Sequence, residues 1–559
     1  MNNRYLTPIN DLVKLIKHIF LAVLNAVVTI CTFDRINVLE GMSLKNRYFL
    51  WHREISYPSH VYYPRSVNEL RNLVKSSSRF RVVGAGKSNN HLADSPTLIS
   101  LDNLNKIVEL DSKGVVTVQG GARLNELAEY LDRFGRAVQV LPTSSRISIG
   151  GAVVNNVHLS GDRTSAHFTD SIIELTIMTS CGDIVTVKPH VHSKPTCQTE
   201  CDDINSRKCC DKMCCKQFLT TLKDTECKVS DDDIFNAVIN SAGCVAIVLE
   251  AKILTIPQEY FKVKILTVPS TKLNTKLKTL IRCSDKVFVF YVPKCDASLV
   301  MTQDLTTKPY WIVGLYYKLM RTIALVANVL LFSVVFPILT MLGLRSLNQT
   351  IINIIPSVSI VVPSHLAMFL SPTGGFFETE FSYPASRVCL SGVLKKMSHI
   401  MTHNSPRAPF ASIGIRFSSE QKYGLLGPNC KVTENTCDSD VIDAVDPVDP
   451  VESKDSVYGC GCKSRCSGKK LSSNYVWISS LSTFASGTVP MHDEIVKYGK
   501  QIGARFHTGK HLGTWRDSKV DDAYMKQIYG DKYDKFIEVR NSLDPEGKML
   551  NSSNFLTRD

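Results

Sequence analysis

Short apolar runs separated by polar turns dominate residues 54–257, and their spacing predicts alternating strands and helices. Arg81–Gly84, Thr97–Leu101, Lys106–Asp111 and Val115–Gly120 read as strands. Leu124–Phe134 places its apolar residues at helical spacing and stops before Gly135. Ile172–Thr179 and Ile184–Val187 flank Cys181-Gly182-Asp183, which predicts a hairpin. Asp231–Asn240 is helix-like, and Ala246–Ile256 is a long β-type run that ends at Pro257.

Two stretches break this rhythm by being apolar without interruption by charge. Ile19–Phe33 follows Lys14, Lys17 and His18 and falls short of the ~20 residues that a membrane span needs. It reads as a signal sequence, a signal anchor or an interfacial helix within an N-terminal region, residues 1–45. Thr322–Leu344 lies between Arg321 and Arg345 and has the length of a tilted transmembrane helix, with Pro337 as a tolerated kink. The alternative for the second stretch is a buried helix. A third stretch, Ile351–Leu370, is broken by Pro356 and Pro363.

Composition narrows the class. The chain has 559 residues and a formal charge of +13, enough length for two domains. No Lys/Arg block with interleaved aromatics marks a nucleic-acid patch, so the basic balance points to a membrane surface and a phosphate-bearing ligand. Cysteines crowd two segments: Cys197, Cys201, Cys209, Cys210, Cys214, Cys215 and Cys227 in one, Cys430, Cys437, Cys460, Cys462 and Cys466 in the other. Their spacing fits no standard zinc ribbon or finger. Disulfides in an oxidising lumen are the simplest account, and a metal cluster is the alternative. Asn348-Gln-Thr350 and Asn551-Ser-Ser553 are glycosylation sequons.

Two glycine-rich turns carry the chemistry. The first, Gly84-Ala85-Gly86-Lys87-Ser88, follows a strand. It is not a dinucleotide fingerprint, because Asn89 stands where the third glycine belongs, and not a P-loop, because Arg81 replaces the leading glycine. What remains is close backbone approach and a row of amides able to hold an anion. The alternative is a plain tight turn. The second turn runs Ser148-Ile149-Gly150-Gly151-Ala152 through Asn155, Asn156, His158 and Gly161. Far downstream stand Ile415-Arg416-Phe417, His507-Thr508-Gly509-Lys510 and Leu543-Asp544-Pro545-Glu546-Gly547.

Together with Val61–Leu70, Val116–Ala122, Glu380-Phe381-Ser382-Tyr383-Pro384 and Tyr475-Val476-Trp477-Ile478, these motifs appear in the order seen in a known family. The chain resembles the sugar-lactone oxidase branch of the vanillyl-alcohol-oxidase (PCMH-type) superfamily. The resemblance implies an α+β fold with two domains. These are a PCMH-type FAD-binding domain over residues 54–257, with a Cys-rich insert near 196–228, and an α+β substrate cap over 258–559. The cap carries the hydrophobic insert 322–344 and a second Cys-rich insert near 430–472.

The same resemblance assigns roles. Gly84, Ala85, Gly86, Lys87 and Ser88 grip the FAD pyrophosphate, while Ser148, Gly150, Gly151, Asn155, Asn156, His158, Gly161 and Ile247 line the rest of the cofactor. Lys87 stands where many relatives carry the histidine that bonds covalently to the flavin, so FAD is expected to be dissociable. Arg416, His507 and Lys510 are the catalytic candidates, with Lys510 facing the reduced flavin. No metal ligand is expected. Gly414 departs from the family's Glu-x-Arg, removing a carboxylate from the active site, and Glu380 matches an acidic position upstream. Phe506 and Thr508 stand where relatives often have Pro and Trp.

The function implied is FAD-dependent oxidation of an aldono-1,4-lactone of the L-gulono- or D-arabinono- type. Oxygen is the acceptor, and hydrogen peroxide and an ascorbate-like compound are the products. The implied partners are a small sugar lactone, oxygen and a membrane of the endoplasmic reticulum or another part of the secretory pathway. Two other readings stay open: a membrane flavoprotein of another substrate class, such as a sterol side-chain reductase, and a catalytically impaired Cys-rich scaffold prompted by Gly414, Lys87 and the inserts.

Overall fold

A computed structural model describes residues 60–142, 146–161, 166–190, 229–293, 297–307, 358–364, 376–385, 389–403, 411–429, 475–483, 485–514 and 517–550, together with short strand pairings between 43 and 58. Both uncharged apolar stretches, 19–33 and 322–344, lie outside these residues. So do both Cys-rich clusters and the two sequons. Among the described residues no helix is long and apolar enough to cross a membrane.

The first domain is built on two sheets. Strands His60–Tyr62, Thr97–Ser100 and Arg81–Val83 form a small parallel sheet with Thr97–Ser100 in the middle. Its helix, Val67–Ser76, is capped by the Ser66 side chain, which accepts from the Glu69 amide, and buries Leu70 and Val74. The second sheet is antiparallel, ordered Ile184–Val187, Ile172–Met178, Ile247–Leu254, Val115–Gln119, Ile107–Leu110. The expected hairpin is present, with Met178 opposite Ile184 and Gly182 at φ +85°. Helices Leu124–Asp132, Ile149–Val154 and Asp231–Val238 add Leu127, Leu131, Ile149, Phe235 and Val238 to its core.

The second domain is an eight-stranded antiparallel sheet, ordered Val358–Pro363, Tyr260–Pro269, Ala297–Thr306, Lys286–Val292, Ala411–Ser418, Tyr475–Thr483, Phe376–Pro384, Arg505–Phe506. Helices Leu390–His403 and Ala485–Gln501 pack together, and the second also meets the Phe376–Pro384 and Tyr475–Thr483 strands. One contiguous hydrophobic core runs from Leu127 and Phe235 in the first domain to Phe288, Ile415 and Phe536 in the second.

The domains are also stitched by polar contacts. Gly161 bridges Ser418, the Ser160 hydroxyl donates to the Phe417 and Val287 carbonyls, and Ser180 donates to the Leu543 carbonyl. Arg81 does more than open the first turn. Its buried guanidinium donates to the backbone carbonyls of Leu92, Ala242, Gly243 and Met549, joining three distant chain segments.

Candidate active site

Register in the cap sheet lays out the site. Phe290, Gly414, Ser479 and Glu380 stand opposite one another across four neighbouring strands. The His507 amide extends that row by donating to the Glu380 carbonyl at 2.9 Å. Two residues along, the next row is Phe288, Arg416, Trp477 and Ser382, and on the other side lies Ser412, Leu481 and Glu378. Side chains in these rows share one face, because strand residues alternate and opposite residues match. That face meets the first domain beside His158.

Four charged groups neutralise one another there. Arg416 Nη1 is 3.1 Å from Glu380 Oε1, and its Nη2 is 3.8 Å from Glu378 Oε1. Lys510 Nζ pairs with the other oxygen of Glu378. Glu380 Oε2 lies 3.5 Å from His158 Nε2. Burial by itself would raise the Glu380 pKa, but the Arg416 charge and then His158 more than reverse this and hold it well below the usual carboxylate range. His158 stacks on Trp477 with ring centroids 3.7 Å apart, and His507 lies 5.4 Å from His158. The donor atoms of His158, Glu380 and His507 come within 4.8 Å of one another. A metal-like trio results, but the carboxylate already faces the Arg416 guanidinium.

His158, His167, His492 and His507 are neutral at ordinary pH. Burial pulls His507 down to about 3 and lowers His158; it takes His167 and His492 well below the ordinary imidazole value. His507 Nδ1 accepts from the Gly509 amide at 3.0 Å, which leaves Nε2 as the N–H that can point at a ligand. The sign of the stability consequence follows. Below about pH 6.5 the unfolded chain takes up these protons more readily than the folded chain does, so this contribution to stability is complete above that pH and is lost as pH falls. Glu380 adds a loss of the same sign below its unfolded value. The thermal midpoint is therefore expected to drop steeply between pH 7.5 and 5, and a flat calorimetric profile over that range would contradict the burial of these rings.

The two glycine turns lie against each other. A Cβ on Gly84 would come 2.2 Å from Ser148 Oγ, so the two turns touch, and Gly86 adopts φ +65°. Gly150 donates to the Gly120 carbonyl, and Ser148 Oγ accepts from the Gly151 amide. Around them sit buried polar atoms with no protein hydrogen bond: both side-chain atoms of Asn89, Asn155 Oδ1, Arg123 Nη1 and His158 Nδ1. Such atoms are costly unless a polar ligand meets them. This donor and acceptor set fits the pyrophosphate and flavin edges of FAD.

The first turn and the terminal motif hold each other. The Asn89 amide donates to the Gly509 carbonyl at 2.8 Å, and the Asn90 side chain donates to the carbonyls of Thr508 and Lys510. The structure thus brings Gly84, Ala85, Gly86, Lys87 and Ser88 beside His507 and Lys510, with Ser148, Gly150, Gly151, Asn155, His158 and Gly161 flanking them and Arg416 across the cap face. Ile247 opens its central strand and packs with Leu70 and Leu249. Asn156, expected along the flavin, is spent elsewhere: at φ +48° it donates to Gln421 Oε1 at 2.9 Å and accepts from Thr169. Sequence reasoning missed Glu378, Asn89 and Asn90 as site residues. The Glu-x-Glu alternation on a strand was the available signal for the first.

Comparison with known proteins agrees with this geometry. Residues 58–188 match the family model described as FAD binding domain, so this part is an FAD-binding domain. An L-gulonolactone oxidase of Scyliorhinus torazame is 24% identical over 287 residues, covering 48% of this chain and 56% of that protein. The Bos taurus L-gulonolactone oxidase is 24% identical over 260 residues, covering 45% and 50%. A putative D-arabinono-1,4-lactone oxidase of Neurospora crassa is 34% identical over 140 residues, 24% of this chain and 25% of that protein. The chain thus spans about half the length, or less, of the curated relatives it matches. Among solved structures, cholesterol oxidase from B. sterolicum superposes with a TM-score of 0.59 at 13% identity, covering 91% of this chain and 96% of that one. A chitooligosaccharide oxidase gives 0.54 at 11%, covering 91% and 94%. These two share the fold. Residues 251–558, more than half of the sequence, match the model described as D-arabinono-1,4-lactone oxidase, and the chain belongs to that family.

Proposed function

We propose that this protein oxidises an aldono-1,4-lactone, of the L-gulono- or D-arabinono- type, at its C2 hydroxyl. Electrons pass to oxygen, with hydrogen peroxide and an ascorbate-like compound as products. The observation that carries this reading is the meeting of Arg416, Lys510 and His507 on one cap face beside the two glycine turns. FAD, when bound, supplies a two-electron hydride acceptor. The chain's own residues bind and orient. Arg416 and Lys510 offer cationic N–H donors to oxygens that gain negative charge, and His507 offers its Nε2–H. Burial of Trp477, His158 and Glu380 keeps water from the same face.

Lys87 supports a dissociable cofactor, since an ammonium does not form the link that a histidine makes to the flavin. The uncharged 322–344 segment and the basic balance support attachment to a membrane, with the endoplasmic reticulum or another secretory membrane as its place. The test uses detergent-purified full-length protein. Yellow colour that leaves with the supernatant after acid precipitation, and that bleaches when L-gulono-1,4-lactone or D-arabinono-1,4-lactone is added without oxygen, is the expected result. Colour that stays with the pellet overturns the dissociable cofactor. Colour that no aldonolactone bleaches overturns the substrate class and favours the impaired scaffold that Gly414 suggests.

A further inference from the structure

We propose that Glu380 does the work of the carboxylate missing at position 414, as a positioning residue that aims the Arg416 guanidinium at the substrate. The inference rests on the lactone-oxidase reading above. Gly414, Ser479 and Glu380 occupy one cross-strand row, so side chains at 414 and 380 leave the sheet on the same face with a single strand between them. Neighbouring strands lie about 4.8 Å apart, so the two backbone positions are roughly 10 Å apart, with Arg416 one row along. Long side chains reach across that distance, and Glu380 does so: its Oε1 is 3.1 Å from Arg416 Nη1.

The space beside Gly414 shows why this strand does not itself carry a carboxylate at that row. A Cβ at 414 would lie 2.4 Å from Ser479 Oγ and 3.5 Å from Leu481 Cδ1. The Ser479 hydroxyl and a side chain at 414 exclude each other unless the serine turns away. In this chain the central strand keeps its hydroxyl, and Glu380 is the carboxylate left in the row. Glu380 is 1% exposed, so its charge acts at low dielectric. Its Oε1 receives no aligned N–H despite the short distance to the guanidinium. Charge therefore holds Arg416 in place while leaving its N–H groups able to turn toward a ligand. Glu378 does not fill this role equally, because it lies a row away, pairs with Lys510, and stands 3.8 Å from the guanidinium.

The test compares FAD-loaded wild type, E380Q, the double variant G414E/S479G, and the triple variant E380Q/G414E/S479G. Removing Ser479 Oγ opens the space that a residue at 414 needs. Two readouts are taken: the rate of anaerobic flavin bleaching by lactone, and the affinity of the bound flavin for sulfite, which rises with uncompensated positive charge nearby. E380Q is expected to slow bleaching at least 100-fold, mostly in kcat, and to tighten sulfite binding about tenfold. The triple variant is expected to recover at least tenfold in rate and to return sulfite affinity to within threefold of wild type. A merely structural Glu380 would not be rescued from another strand.

E380Q that matches wild type in both readouts overturns the proposal. So does a triple variant that folds, with a melting temperature close to that of G414E/S479G, and shows no recovery. If the triple variant does not fold, E380D replaces it, and recovery of neither readout by the shorter acid counts the same way. Sulfite affinity is measured whether or not any lactone reacts. A wild type that no lactone bleaches therefore counts against the substrate reading alone, and the carboxylate proposal is still decided.

Discussion

Replacing Arg416 by Met should lower the rate of lactone-driven flavin bleaching by a factor of a hundred to a thousand, about 3–4 kcal/mol of lost stabilisation. The argument is electrostatic. Arg416 is the cation 3.1 Å from Glu380, and it also lies near Glu378. With it gone, the buried Glu380 keeps only the weaker influence of His158 and His507 against desolvation, and its pKa rises toward and beyond the ordinary carboxylate value. The site then loses a donor to the substrate and gains a protonated acid. The pH profile of the residual activity should acquire a new descending limb that the wild type lacks, as that acid ionises. Stopped-flow bleaching across pH separates the two effects, and a variant with normal bleaching would remove Arg416 from the chemistry. Arg416→Lys should recover little, because an ammonium cannot span Glu380 and Glu378 as a planar fork does.

Replacing Arg81 by Met is the second large effect, and it is one of stability. Its guanidinium satisfies the carbonyls of Leu92, Ala242, Gly243 and Met549 inside the protein. Methionine fills comparable volume but leaves these acceptors without a donor. Each buried unsatisfied carbonyl costs on the order of 1–3 kcal/mol, and partial relaxation brings the total to roughly 3–5 kcal/mol. The midpoint of thermal unfolding should fall by roughly 5–10 °C. FAD retention on dilution should fall as well, since the turn at Gly84 begins three residues later. Unchanged unfolding would mean that these carbonyls find other partners.

Much of the site was legible in the sequence for a plain reason: glycine turns, an arginine on a strand and a His-x-Gly-Lys run are local patterns. Hydrophobic alternation also marked the first domain's strands and the Cys181–Asp183 hairpin, because one buried face imposes a period of two. The rest depended on register. That Glu380 faces Gly414 across Ser479, and that Asn90 reaches the carbonyls of Thr508 and Lys510, follows from pairings between residues far apart in the chain. No local period encodes such pairings. Asn156 shows the converse. Its place beside the second turn suggested a ligand contact, but a positive φ turns it toward Gln421.

The bonds from Arg81 to Met549 and from Asn90 to Lys510 also set an order of events during synthesis. The first glycine turn is among the earliest parts of the domain to leave the ribosome, yet its closing partners lie 468 and 420 residues downstream. At translation rates of about 5–20 residues per second, that gap lasts on the order of 20–90 seconds. Through this interval the nascent turn lacks its anchors, and the Asn89 amide lacks the Gly509 carbonyl. These closing contacts therefore form late, and a chain stalled before residue 507 would lack all three of them.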